Sequence, residues 1–409
     1  MQLKFPRNDL RVSYAKAVHD EAERKRVLAV LDEHRTIMGK EIYQFEERVS
    51  KLFGCKFGVM VNSGSSANLL ALEILNFPEG SEIITPLLTF STTVAPIIQK
   101  KLVPVFADVE NGSYQINVDQ IEKLVTRKTR ALMIPLLLGN VPDLERLQYI
   151  AKKNNLFFIV DSCDTFAASF QGKLSSSFGD IITTSFYGSH IITAGGGGGM
   201  IMMDNPKWKD KAKVFRGWGR NSSISDETES ISVRFKAKIG NIPYDDKFIF
   251  GQLGYNFLPL EMSAAFGNAQ LDKLKDFKKL RKNNFNRLYK FFLKYSNFFI
   301  LPKKDIRVQT CWLSFPLTIR SSTPFTRIEI TTYLEKNNIQ TRPIFTGNVL
   351  KQPGFKNIPH RLIPGYGYPI TNDIMKKGFV IGCHQGLAEK HLEKIERIFT
   401  KFLNKYISF

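Results

Sequence analysis

The chain has 409 residues, 43% of them hydrophobic and 23% charged, with a formal net charge of +20 at pH 7. That length supports a substantial core divided between a large and a small domain, and no run reaches the roughly 18 uninterrupted apolar residues of a membrane span. The opening residues, Met1-Gln2-Leu3-Lys4-Phe5-Pro6-Arg7, lack the apolar segment of a secretion signal, so a cytoplasmic location is expected and no membrane partner.

The four cysteines, Cys55, Cys163, Cys311 and Cys383, have no CxxC spacing. This argues against a disulfide framework or a cysteine-held cluster and predicts reduced thiols; no metal site is expected. The excess positive charge would attract polyanions, but the basic residues are spread along the chain rather than gathered in an arm, which counts against nucleic acid as a partner.

Taken in order, the helical residues at about 17–53 are expected to pack with the smaller domain. From Phe57 to about Met203, short apolar runs alternate with helical patterns: Phe57–Val61, Ile83–Ile84, Ala131–Ile134, Phe157–Val160 and Ile181–Phe186. The alternation predicts an α/β fold with a mostly parallel sheet flanked by helices, and functional sites at the C-terminal strand ends. The stretch from Met203 to Gly254 is polar and carries no clear pattern. Beyond it, a long helical region around 261–295 contains Leu274, Phe277, Leu280, Leu288 and Phe291 or Phe292 at spacings near three and four, an amphipathic helix with a basic solvated face. Residues 297–409 read as a C-terminal α/β unit with apolar runs at 312–317 and 379–381. The expected divisions are a helical segment over 1–55, a large cofactor-binding domain over 56–270, and a long helix with a small α/β domain over 271–409.

Three segments carry chemistry. Asn62-Ser63-Gly64-Ser65-Ser66-Ala67-Asn68 lies between an apolar strand and a helical run, where small residues let backbone N–H groups approach a phosphate; a plain capped helix start reads equally from the same residues. Asp161 follows a strand, where it would either keep a pyridinium nitrogen protonated or cap a helix. Ser185-Phe186-Tyr187-Gly188-Ser189-His190 precedes five glycines, Gly195 to Gly199, which permit positive φ and close backbone approach.

The order of these segments, with Thr-Phe-Ser-Thr-Thr at 89–93, Asp-Ser-Cys-Asp at 161–164, Ser-Phe-Tyr at 185–187 and Gly-Tyr-Asn at 254–256, resembles the DegT/DnrJ/EryC/StrS sugar aminotransferase family over nearly the whole chain. The resemblance implies an aspartate-aminotransferase-like fold and a pyridoxal or pyridoxamine 5′-phosphate cofactor. Most members of that family carry, five residues after the serine of Ser-Phe-Tyr, a lysine that holds the cofactor covalently. This chain has His190 there, and neither Lys173 nor Lys207 fits the spacing. The exchange resembles a branch of sugar-nucleotide 3-dehydratases acting on CDP- or GDP-linked 4-keto-6-deoxyhexoses, as do Trp218-Gly219-Arg220 and the run from Thr341 to Asn348.

That branch implies noncovalently held cofactor, His190 as the acid/base residue, and a 3,6-dideoxy-4-keto sugar destined for surface polysaccharide. By the same resemblance Asp161 pairs with the ring nitrogen, Phe90 stacks on the ring, Gly64, Ser65 and Ser185 hold the phosphate, Asp164 contacts the ring hydroxyl, and Asn256 reaches a phosphate across a homodimer interface. Arg220 and Arg342 are candidates for the sugar diphosphate or a carboxylate donor, or are simply solvated. Two departures stand out: Gly196 replaces an acidic residue, and Asn221-Ser222-Ser223-Ile224-Ser225 carries none of the cysteines that the CDP-sugar type uses for an iron–sulfur cluster. Their absence favours recycling of the cofactor by glutamate over a reductase partner. The rivals are an ordinary aminotransferase with a relocated lysine and a catalytically silent sugar-nucleotide-binding protein.

Overall fold

The computed structural model describes residues 10–224 and 230–407. A seven-stranded sheet organises the larger part: β1 Phe57–Val61, β2 Glu82–Pro86, β3 Val103–Ala107, β4 Thr129–Pro135, β5 Phe157–Asp161, β6 Ile181–Ser185 and β7 Gly199–Met203. Their spatial order is β1-β7-β6-β5-β4-β2-β3. The run from β3 through β6 is parallel, whereas β7 runs antiparallel to both of its neighbours. The five anticipated apolar runs all become strands. The two that were not anticipated each have a local disguise: β3 carries Pro104 and survives because it is the sheet edge, and β7 begins inside the glycine run.

The antiparallel β7 decides where the site lies. Its first residue, Gly199, is paired with Val61 at the end of β1 and with Ser185 at the end of β6, so the loops after β1 and β6 are drawn to one point. A Cβ on Gly199 would come within 2.3 Å of the Ser63 carbonyl, which explains glycine there.

The helix Lys40–Phe53 buries Ile42, Phe45, Val49 and Phe53 and stops at Gly54, whose φ of 68° forms a left-handed cap. Its own N-cap, Gly39, has no side chain; Glu261 supplies the acceptors instead, taking hydrogen bonds from the N–H groups of Gly39, Glu41 and Ile42. The N-terminal helices therefore pack on the large-sheet side, against the helix Glu261–Asp272 and β1, and not on the C-terminal unit as expected. The reason is the apolar stripe: Phe45 lies against Gly267, where a Cβ would approach its ring to 2.7 Å. Among the described N-terminal residues, the stretch around Val12 joins the C-terminal unit, through a bridge to Ile339.

The helix Leu274–Leu293 leads into an antiparallel sheet with the order Phe299–Ile300, Phe315–Ile319, Gly378–Ile381 and Arg342–Pro343. This unit has its own core, built on Phe292, Phe299, Phe315, Phe379 and Phe399. The helical periodicity expected for 273–294 holds except at Leu280, which is exposed; Arg281 takes the inward place, fully buried. Its guanidinium donates to Gln385 Oε1 and to the Trp312 and Leu313 carbonyls, acceptors that no pattern of apolar residues announces. Among the described residues, no helix is long and apolar enough to cross a membrane.

Candidate active site

The ends of β1, β4, β5 and β6 surround a cavity of about 420 Å³. On one wall the helix Gly64–Leu75 begins: the Ser63 hydroxyl accepts from the Ser66 N–H at 3.1 Å, and Ser66 Oγ donates to Asn62 Oδ1 at 2.6 Å. Ser63 thus caps the helix, while Gly64 and Ser65 line the cavity at the positive end of the helix dipole. The helix cap and the cavity wall are formed by the same segment, so the two readings of it do not compete. A Cβ on Gly64 would lie 2.6 Å from Ser185 Cβ and 2.9 Å from Cys163 Sγ; glycine is what lets the helix start meet β6.

Asp161, 4% exposed, ends β5 at the cavity floor. Its Oδ2 accepts from Asn68 Nδ2 at 2.8 Å and from Thr93 Oγ1 at 2.9 Å, and its Oδ1 accepts from the Cys163 N–H at 3.2 Å. Both side-chain donors are themselves held: Thr183 Oγ1 donates to Asn68 Oδ1 and Thr89 Oγ1 to Thr93 Oγ1. No helix follows Asp161, and the residue is not an N-cap. Buried carboxylates persist where donors surround them, and here the donors fix one oxygen and leave the other with accepting capacity toward the cavity.

His190 lies on the β6 side. Its Nδ1 is 3.2 Å from the Ser185 carbonyl, which can only accept, so Nδ1 carries the hydrogen and Nε2 is the basic nitrogen. Burial pushes the imidazole down to about 4, against the raising effect of that carbonyl; at neutral pH it is an uncharged base. Asp164, also in the cavity wall, accepts the Leu138 N–H at 3.0 Å. Burial, with the charge of Asp161 adding to it, pushes its carboxyl up to about 7 against that bond.

Phe90 is 51% exposed and lines the cavity, its ring edge-to-face with Phe345 at 5.9 Å. Arg342 lies outside this cavity but lines an adjoining one of about 510 Å³, with Ser314, Thr346 and Gln352. Arg220 and Asn256 line neither. Arg220 is 4.4 Å from the Trp218 ring and near those of Phe248 and Phe250; Asn256 is exposed and bridges to Gly217. Of the ten candidate residues, seven therefore gather in one cavity: Gly64, Ser65, Phe90, Asp161, Asp164, Ser185 and His190.

Sequence reasoning missed Tyr14, Thr93 and the site role of Asn68. Asn68 and Thr93 lie inside the segments 62–68 and 89–93, and a buried carboxylate's need for donors is the signal that singles them out. Tyr14, from the N-terminal stretch, had no local signal at all.

Residues 17–400 match the DegT/DnrJ/EryC1/StrS aminotransferase family. The chain belongs to that family. It is 36% identical to the lipopolysaccharide biosynthesis protein RfbH of Salmonella typhimurium (88% of this chain, 84% of the relative). It is 33% identical to the dTDP-4-dehydro-2,6-dideoxy-D-glucose 3-dehydratase of Saccharopolyspora spinosa (95% and 86%). A solved structure of GDP-4-keto-6-deoxymannose-3-dehydratase, holding a trapped PLP–glutamate geminal diamine, matches with a TM-score of 0.84 at 28% identity, covering 95% of this chain and 99% of that one. This member of the DegT/DnrJ/EryC1/StrS family thus has the aspartate-aminotransferase-like architecture expected from its sequence.

Proposed function

We propose that this protein is a pyridoxamine 5′-phosphate-dependent 3-dehydratase of a nucleotide-linked 4-keto-6-deoxyhexose, producing a 3,6-dideoxy-4-keto sugar for surface polysaccharide. His190 carries this reading: it stands where the family places its lysine, and no lysine is among the residues lining the cavity.

The residues present suit the cofactor. Gly64 leaves open the space that a Cβ would fill against Ser185, and Asp161 keeps one oxygen available beside two donors that hold the other. When bound, the cofactor supplies an amine that condenses with a sugar ketone and a ring that accepts electron density. Asp161 Oδ1 holds the proton of the ring nitrogen, oriented by Asn68 and Thr93. Gly64, Ser65 and Ser185 bind the phosphate, Phe90 covers the ring, and Asp164 contacts the ring hydroxyl. His190 Nε2 removes a proton at the methylene next to the amine; being neutral, it is ready to do so at physiological pH. Lysine, with an ordinary pKa of about 10.4, would arrive at the same place charged or covalently engaged.

Glutamate is the amino donor that restores the cofactor, and no iron–sulfur cluster takes part; the relative with a trapped glutamate adduct supports the first point, and the cysteine-free stretch after Trp218-Gly219-Arg220 the second. The protein acts as a cytoplasmic homodimer, in which a second copy brings Asn256 to the phosphate. Arg342, in the adjoining cavity, meets the substrate's diphosphate or the donor's carboxylate.

The test is mass spectrometry of products from purified protein, pyridoxamine phosphate, glutamate and a panel of CDP-, GDP- and dTDP-4-keto-6-deoxyhexoses, with no reductase. A 3,6-dideoxy-4-keto product, lost in His190→Asn, is expected. An amino sugar as product would sink this reading, and turnover only with an added reductase would sink the cluster-free route.

A further inference from the structure

The cavity at the strand ends and the adjoining one that contains Arg342 share four lining residues: Tyr14, Phe90, Leu313 and Phe345. With the cofactor in the first and the nucleotide sugar entering through the second, the sugar carbon that loses its hydroxyl sits at this junction; the argument to that point rests on the dehydratase reading. Hydroxide is a poor leaving group, the pKa of water being about 15.7, so a proton must reach the departing oxygen. Three of the four shared residues have none to give. His190 is neutral and takes a proton in the same step. Tyr14 is left as the one junction residue with a hydroxyl.

We propose that the Tyr14 hydroxyl is the general acid that protonates the C3 oxygen as it leaves. The backbone around Tyr14 is held by several contacts. The Val12 N–H donates to the Asn338 carbonyl and the Gln340 N–H to the Val12 carbonyl, adding this stretch to the C-terminal unit as a strap. The Tyr14 N–H donates to Gln340 Oε1 at 3.0 Å, and His384 Nε2 lies 3.0 Å from the Ser13 carbonyl. Gly382 lies beneath, where a Cβ would come within 2.4 Å of that same carbonyl. The Arg342 guanidinium lies 5.4 Å from the ring centroid. Burial raises the phenol above its ordinary value, with the Ser189 hydroxyl and Arg342 opposing, so Tyr14 stays protonated at neutral pH. Proton transfer from a phenol to departing hydroxide is downhill by roughly 5 pKa units.

The step balances without any oxidant or reductant. His190 Nε2 takes the proton, the electron pair it leaves behind forms the new double bond, the C3–O pair leaves with oxygen, and that oxygen takes the Tyr14 proton and departs as water. His190 has then gained the proton that Tyr14 has lost. One proton returned from His190 to Tyr14 restores the site.

The experiment compares wild-type holoenzyme with Tyr14→Phe, each loaded with pyridoxamine phosphate, on the accepted 4-keto-6-deoxyhexose and on its 3-fluoro analogue. The fluoride ion leaves without needing a proton. The variant is expected to lose about 10²- to 10⁴-fold in dehydration of the hydroxyl substrate. It should recover rate on the fluoro substrate, bind the nucleotide sugar as tightly as wild type by calorimetry, and keep the glutamate half-reaction, followed by the cofactor's absorbance. Wild-type dehydration by Tyr14→Phe, or an equal loss on both substrates, overturns the assignment. Wild-type enzyme that dehydrates nothing in the panel overturns the dehydratase reading itself, and this proposal falls with it.

Discussion

The strand ends around Asp161 and the segment from Trp218 to Leu253 dispose of their side chains in opposite ways. At the strand ends the polar groups are buried and interlocked, Thr89 to Thr93 to Asp161 on one side and Thr183 to Asn68 to Asp161 on the other. In the second segment, Ile231, Phe235, Ile242, Phe248 and Leu253 are each more than half exposed, and Arg220 lies against the rings of Trp218, Phe248 and Phe250. One chain satisfies the polar groups around Asp161 by itself. The second presents an apolar surface that a single chain does not bury, which is the signature of a surface used against something else.

Breaking the interlocked region should have the largest effect. Asp161→Ala removes the carboxylate while leaving its donors buried, and turnover should fall on the order of 10²- to 10³-fold with circular dichroism unchanged; near-normal kcat would mean that the ring nitrogen is held by another group. Gly64→Val pushes methyl groups into Ser185 and Cys163, and cofactor affinity measured by equilibrium dialysis should weaken by at least about tenfold, an overpacking cost of about 1–3 kcal/mol. Thr93→Val deletes one of the two side-chain donors to Asp161, worth about 1 kcal/mol, so a loss of about fivefold in kcat with little change in KM is expected.

Titration gives a subtler contrast within the buried region. Burial holds His190 and His384 at about 4, below the ordinary 6.5, so the unfolded chain binds more protons than the native one across that window, and stability falls as pH drops through it. Asp164 acts in the opposite sense. Its native value of about 7 exceeds the ordinary 3.8, so its contribution is greatest in acid and is lost as pH rises through 7. Asp164→Asn should therefore lose thermal stability more steeply than wild type between about pH 6.5 and pH 4, as followed by calorimetry; parallel curves would show that Asp164 does not hold its proton in the fold. The smallest effect belongs to the exposed segment. Leu253→Asn, at a residue 96% exposed, should leave unfolding within about 0.5 kcal/mol of wild type while shifting sedimentation of the proposed homodimer toward monomer, and unchanged association would remove this segment from the proposed interface.

Much of this was legible in the residues. Fully buried parallel strands read as short apolar runs, which is why all five were visible, and small residues between a strand and a helix marked a helix start that opens on the cavity. Arg281 shows the limit. Its acceptors lie 31, 32 and 104 residues away, and a local pattern that counts apolar spacing assigns the inward position to Leu280 instead.

The sequence by itself determined the fold class, the family, the presence of histidine in the lysine's place and seven residues of one cavity, because each is written in a contiguous motif whose spacing carries its chemistry. Only the tertiary structure decided that β7 runs backward to bring Gly199 between Val61 and Ser185, that Asn68 and Thr93 share Asp161, and that Tyr14 reaches the junction of two cavities from the far end of the chain. These depend on contacts between segments distant in sequence, and such contacts are selected by packing and hydrogen-bond satisfaction in the folded core, where no local periodicity records them.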